Sequence, residues 1–273
     1  MFKTYLTLFC MACLVLSCNI KTDKEVNATK SDSTIAESGQ KARSLKETAT
    51  ILGGSWIADD YLANLKKNKA VYTNPKYKTT LFGMSFIEDS LATGSTLLYG
   101  FSPHEVTYSW PVYFNTKSGH FEYDPKQDIG DKPLGNFSLD ILDDNLLELK
   151  FTKTGKKERY RKADIEEELN SLFAGTYTDK ATGKTVTFTL DGKVKGLPGY
   201  VQYYVQFDPD DEYAVPFDAI LLYANPTDEA GKPYHFKING NTLTLYNVDE
   251  HEVEKYVEYT YTIGKEAYTL TKQ

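Results

Sequence analysis

Chemistry in a protein needs nucleophiles, general acids and bases, or metal ligands at workable spacing, and this chain offers few. Its four histidines, His104, His120, His235 and His251, share no metal-ligand spacing. His235 alternates with Tyr234 and Phe236, so a strand would turn it to the opposite, solvent-facing side. No Gly-x-Ser-x-Gly, phosphate-binding glycine loop, dinucleotide fingerprint or His-Glu-x-x-His occurs. Carboxylates crowd at Asp208-Pro209-Asp210-Asp211-Glu212, where hard oxygen ligands would suit Ca²⁺. Without an EF-hand spacing or a turn glycine, that stretch reads as an acidic loop, with Ca²⁺ as the alternative. Asp249-Glu250-His251-Glu252-Val253-Glu254 reads likewise as a solvated acidic loop between strands. Tyr99, Phe101, Tyr108, Trp110, Tyr113 and Phe114, and the run Tyr200, Tyr203, Tyr204, could stack on a sugar or an apolar ligand. Tyrosine is equally an ordinary strand former with an apolar body and a polar tip. Tyr203 and Tyr204 must face opposite ways on one strand, so only one can meet a cavity. The expectation is a non-enzymatic protein with no catalytic residue, cofactor or metal.

The most specific reactive group is Cys18. Lys3 precedes an apolar stretch from Tyr5 to Leu16, well short of the roughly 20 residues that span a bilayer as a helix, so it reads as a signal peptide. Val15-Leu16-Ser17-Cys18 then resembles the lipobox of bacterial lipoproteins, with Leu16 a mild departure at the second position. The resemblance implies that residues 1–17 are removed and that the Cys18 thiol takes diacylglycerol. Acyl chains (palmitate among them) would hold the chain on a membrane of the cell envelope, with the outer membrane expected. Several chains anchor stably where one holds only marginally, at about 0.8 kcal/mol per buried CH₂. Cys10 and Cys13 lie within the discarded stretch, so the mature chain would have no disulfide.

Residues 18–49 carry few aromatics and balanced charge, six Lys/Arg against five Asp/Glu. Such a segment cannot bury enough surface to offset its ordering entropy, so it reads as a flexible tether rather than a polybasic lipid-binding arm. Aromatics and alternating patterns begin at Ile51. A weak internal repeat divides the remainder of the chain into residues 50–163 and 164–273. Leu52-Gly53-Gly54-Ser55-Trp56 matches Phe173-Ala174-Gly175-Thr176-Tyr177 in type, and Asp144-Asn145-Leu146-Leu147 matches Gly240-Asn241-Thr242-Leu243. Asp164–Leu172 reads as a short helix at the boundary. The first half is neutral, fifteen acidic against fifteen basic residues over 50–164; residues 165–273 hold eighteen acidic and nine basic. That imbalance argues against nucleic acid and anionic lipid as partners.

The second half reads as about eight antiparallel strands. Thr185–Leu190 alternates and runs into Asp191-Gly192, a tight-turn signal, with Val194–Leu197 beginning the return strand. Gln202–Phe207 and Phe217–Tyr223 follow. Tyr234–Ile238, Asn239-Gly240 and Thr242–Tyr246 form the clearest hairpin. Val257–Ile263 and Tyr268–Lys272 are expected as a last pair turning at Gly264-Lys265. These features resemble the lipocalin-like domains of bacterial lipoproteins, with Gly54-Ser55-Trp56 similar to the Gly-x-Trp of the lipocalin first strand. The resemblance implies an all-β chain of two antiparallel, barrel-like domains, with Trp56 buried across a closed barrel end. Trp110, before Pro111, is expected near an edge or loop because proline cannot donate to a sheet ladder. The functional expectation is non-catalytic binding of a small apolar or glycan ligand. The alternative is an envelope interaction protein without a ligand cavity, and a glycan hydrolase rests only on carboxylates and aromatics.

Overall fold

The structure is a computed structural model, and it describes residues 43–73, 78–101, 107–126, 135–207, 215–254 and 258–273. The signal-peptide stretch, Cys18, most of the tether, His104 and the acidic run Asp208–Glu212 lie outside the described residues. Residues 43–273 form one compact unit. Among the described residues, no helix is long and apolar enough to cross a membrane.

The chain is mostly β, as its alternation predicts, and builds two antiparallel sheets of eight strands each. Helix α1 (Leu45–Leu52) leads into β1 (Ser55–Ala58), α2 (Asp59–Asn68), β2 (Gly83–Phe86), α3 (Glu88–Leu91) and β3 (Ser95–Phe101). Then come β4 (Thr107–Asn115), β5 (His120–Tyr123), β6 (Phe137–Asp143), β7 (Leu146–Phe151) and β8 (Lys157–Lys162). Each strand pairs with its sequence neighbour, and β1 returns to β8 through Trp56↔Lys162 and Ala58↔Tyr160, closing a barrel without edges. Helix α4 (Ile165–Ser171) comes after it, its N–H groups at Glu166 and Glu167 capped by Asp164.

The second sheet holds β9 (Gly175–Asp179), β10 (Thr185–Phe188), β11 (Val194–Lys195), β12 (Gln202–Gln206), β13 (Ala219–Tyr223), β14 (Lys232–Asn239), β15 (Thr242–Glu254) and β16 (Glu258–Lys272). Here β16 pairs with β9, and an isolated bridge, Lys193↔Gln202, links the residue before β11 to β12. The Asn239-Gly240 turn stands as expected, with Gly240 at φ 58°.

Four expectations need correcting. Composition extends the tether to Ala49, but α1 begins at Leu45, because Ser44 and Glu47 form a reciprocal capping box and Leu52 buries fully. Gly264-Lys265 is not a turn: β16 continues through it, and the "acidic loop" Asp249–Glu254 is strand, paired from Val248↔Ile263 to Glu254↔Glu258. Gly264 lies at a bulge instead, where the register shifts between Tyr246↔Glu266 and Val248↔Ile263. Trp110 is not at an edge or loop; it is 2 % exposed, inside the barrel. Pro111 is tolerated because its carbonyl accepts from Asp124 N–H, just past the end of β5. The missing proline N–H points to that same spot, where the ladder has already stopped.

The internal repeat has a physical counterpart where the first and last strands of each series pair. Trp56 is fully buried and its indole N–H donates to the Leu52 carbonyl at 3.0 Å; the Tyr177 hydroxyl donates to the Phe173 carbonyl at 2.7 Å. Lys162 Nζ stands 5.7 Å from the Trp56 ring centre and Lys272 Nζ stands 5.8 Å from that of Tyr177. Each ammonium also donates to a carbonyl preceding its β-strand, Ile51 at 2.9 Å and Ala174 at 2.8 Å. Burial pushes the Tyr177 hydroxyl pKa up to about 12. The equivalence extends to the backbone: Lys162 N–H donates to Asn145 and Lys272 N–H to Asn241.

The two halves touch through helices and segments flanking the strands. Phe82 stacks on Phe207 with ring centres 6.1 Å apart, and Lys66 pairs with Glu168 at 3.0 Å. The buried Asp218 carboxylate, just before β13, accepts from the N–H groups of Val71 and Tyr72 and from the Thr73 hydroxyl. Asp218→Ala would orphan the buried Val71 N–H and is expected to cost about 2–4 kcal/mol, since hydrogen bonds to charged groups exceed neutral ones. A denaturation midpoint equal to that of the unsubstituted chain would contradict this.

Candidate binding site at the second end of the first barrel

Because Trp56, Lys162 and α1 cover one end of the first barrel, any opening must lie at the other, beside the β1–β2, β3–β4, β5–β6 and β7–β8 connections. Strand alternation decides which aromatics reach it. Leu98, Gly100, Tyr108, Trp110 and Phe114 fall on the inward face, through the pairs Leu98↔Trp110 and Gly100↔Tyr108. Tyr99 and Phe101 fall on the outward face, where Phe101 meets Phe82 at 6.1 Å. Tyr113 is also outward, and its hydroxyl donates to Glu122 at 3.2 Å, a neighbour that raises its pKa. Phe114 packs on Phe121 deeper in the core. The six aromatics singled out in this half therefore do not form one platform.

Tyr108 and Trp110 do come together. Their rings stack 5.7 Å apart at 26°, with Tyr108 39 % exposed and Trp110 buried beneath it. Gly100 makes the room: a Cβ there would lie 2.6 Å from Trp110 Cζ3 and 2.7 Å from Leu81 Cδ1. The Trp110 indole N–H is buried and has no hydrogen-bond partner among the described residues. A buried donor left unpaired costs about 1–3 kcal/mol, so such groups are uncommon and tend to have a use.

The covering segment, residues 78–82, is held down by one carboxylate. Glu158 faces inward opposite Leu149 and is 3 % exposed. It accepts from Thr80 N–H at 2.9 Å, the Thr80 hydroxyl at 2.6 Å and the Tyr160 hydroxyl at 2.8 Å, and pairs with Lys156 at 2.6 Å. Burial alone would raise its pKa, but Lys156, Thr80 and Tyr160 together hold it below the ordinary carboxylate range. Burial, then Glu158, pushes the Tyr160 hydroxyl far up, so it stays a donor.

In the second half, Tyr203 is buried with its hydroxyl donating to Thr189 at 2.7 Å, while Tyr204 turns to the other face, as alternation requires. Tyr200 joins Tyr234 hydroxyl to hydroxyl at 2.8 Å, and burial followed by that contact pushes the pKa of Tyr200 up to about 12. Tyr234 in turn packs on Tyr268 at 5.9 Å. His120 lies 3.4 Å from Asp140, His235 Nδ1 meets the Asp218 carbonyl at 2.9 Å, and His251 bonds the Thr262 hydroxyl at 3.0 Å. Among the described residues no three His, Cys, Asp or Glu side chains are grouped to hold a metal.

Sequence reasoning missed Glu158, Lys162, Lys272 and Asp218. Glu158 left one signal, its place two residues before Tyr160 and so on the same strand face. Comparison with known proteins finds no match: no family model, no curated relative and no solved structure aligns with this chain.

Proposed function

We propose that this chain is a lipid-anchored protein of the bacterial envelope, tethered through Cys18, whose lipocalin-like first barrel binds a small ligand without catalysis. The observation that carries the binding reading is the pair Tyr108–Trp110: a partly exposed ring stacked on a buried one whose N–H lacks an acceptor among the described residues. Such a pair suits a ligand with an apolar or sugar face and one hydrogen-bond acceptor. Protein purified from its own cells without denaturant, then extracted into organic solvent, should release one bound species at near-equimolar yield. Trp110→Phe should abolish its recovery while leaving the fold intact. Equal recovery from that variant would remove the reading.

The anchor has its own test. Cys18→Ser is expected to move the protein from membranes to the soluble fraction and to leave the precursor uncut. Unchanged membrane association and processing would contradict it.

A second reading, docking to an envelope protein, is favoured by the β15–β16 ribbon. Pairing with β14 ends at Asn247, so among the described residues Val248 to Glu254 of strand β15 pair with β16 alone. A strand edge of this kind accepts an added strand, and the exposed Asp249 and Glu250 favour a basic one.

A further inference from the structure

The β15–β16 ribbon has a second edge. Pairing of β16 with β9 begins only at Leu270, so among the described residues Glu258–Ala267 of β16 pair with β15 alone. The two edges differ in charge. Strand β15 carries Asp249, Glu250, Glu252 and Glu254 along its outer stretch. On β16, Tyr259-Thr260-Tyr261-Thr262-Ile263 has no charge and no proline, and every residue in it is a good strand former. Thr260, Thr262 and Ile263 are exposed, Ile263 to 49 %. Sheet edges are ordinarily guarded by charge, proline or brevity. The β15 edge has the first of these; the β16 stretch, between Glu258 and Lys265, has none.

We propose that this stretch of β16 pairs antiparallel with the same stretch of a second copy of the chain, giving a four-stranded sheet in the order β15-β16-β16-β15. Such a contact is isologous: an uncharged edge meets itself about a twofold axis. The charge pattern selects both the partner and the edge. Strands lie about 4.8 Å apart, so this order leaves the two acidic β15 strands about 14 Å from each other, beyond the Debye length of about 8 Å at physiological salt. Pairing through β15 would instead set its carboxylates opposite one another, where like charges destabilise. The contact is only a few residues long and buries less than a standard interface, so the dimer is weak and reversible. It leaves the β15 edge free and uses neither Tyr108 nor Trp110.

The test is sedimentation equilibrium of the chain from residue 18 carrying Cys18→Ser, which keeps the whole compact unit 43–273 and contains no cysteine. A monomer–dimer equilibrium is expected, with a dissociation constant of about 1 mM or tighter. Ile263→Lys should weaken it at least about tenfold, as a lysine on an edge strand blocks pairing, and Glu250→Lys on the other edge should leave it within about twofold. Both side chains are exposed, so neither result depends on folding. Single cysteines read the geometry. On oxidation, one of Thr260→Cys, Tyr261→Cys and Thr262→Cys should give a disulfide-linked dimer in high yield, because the residue on the twofold axis faces its own copy about 4.5–5.5 Å away. Glu250→Cys should give little. A chain that stays monomeric up to about 1 mM overturns the proposal. So does a dimer weakened as much by Glu250→Lys as by Ile263→Lys, or cross-linking at Glu250→Cys equal to that on β16.

Discussion

Trp56→Ala is expected to lower the stability of the chain by about 3–5 kcal/mol, the range for deleting a fully buried aromatic. Three interactions go at once: the ring volume at the closed end, the indole hydrogen bond to Leu52 and the overlying Lys162 ammonium. Lys162 would keep its bond to the Ile51 carbonyl, so the loss should be one of packing more than of charge. Denaturant unfolding followed by circular dichroism reads the effect. In a Trp110→Phe background the remaining Trp56 emission should be blue-shifted and poorly quenched by iodide. A Trp56 fully open to quencher, with an alanine variant as stable as its parent, would remove the closed-end account.

Glu158→Ala comes next in size, at about 2–4 kcal/mol, because it leaves the Thr80 N–H and the buried Tyr160 hydroxyl without their acceptor. Lys156 is half exposed and can return to water, which keeps the cost below that of stranding a buried charge. The pH dependence is set by the direction of the shift. The folded carboxyl titrates below its unfolded value, so its contribution is complete above the ordinary carboxylate pKa of about 4.3. It is lost as pH falls through the lower, folded value. The stability difference between the native chain and Glu158→Gln should therefore be constant near neutrality and shrink only in acid. A difference that grew on acidification would contradict this role of Glu158.

Local patterns made much of the fold legible. Alternation over Thr185–Phe188 and Tyr234–Ile238, the Asn239-Gly240 turn and the short helix after Asp164 all act within a few residues, where sequence and geometry are directly coupled. Sequence and structure part where one local signal has two structural uses. Glycine marks both a turn and a β-bulge, and Gly264 is the latter. Proline marks both an edge and the place where a ladder has ended, and Pro111 is the latter. The residues where the last strand of each series meets the first were invisible for a different reason. Lys162 lies over Trp56, and Lys272 over Tyr177, only because the last strand of each series pairs with the first, a long-range register that no window of the sequence contains. Likewise the Trp110 indole became notable only once its surroundings were known.

The most direct test of the binding account is the ¹⁵N–¹H resonance of the Trp110 indole, assigned by its loss in Trp110→Phe. It would be recorded on protein purified natively from its own cells and again after unfolding, solvent extraction and refolding. If the barrel mouth holds a ligand whose acceptor meets this N–H, the indole proton should lie downfield and exchange slowly in the first sample. It should move upfield in the second, while the Trp56 indole, bonded to Leu52 in both, stays where it is. An identical Trp110 resonance before and after extraction would contradict the claim that the first barrel is a binding site.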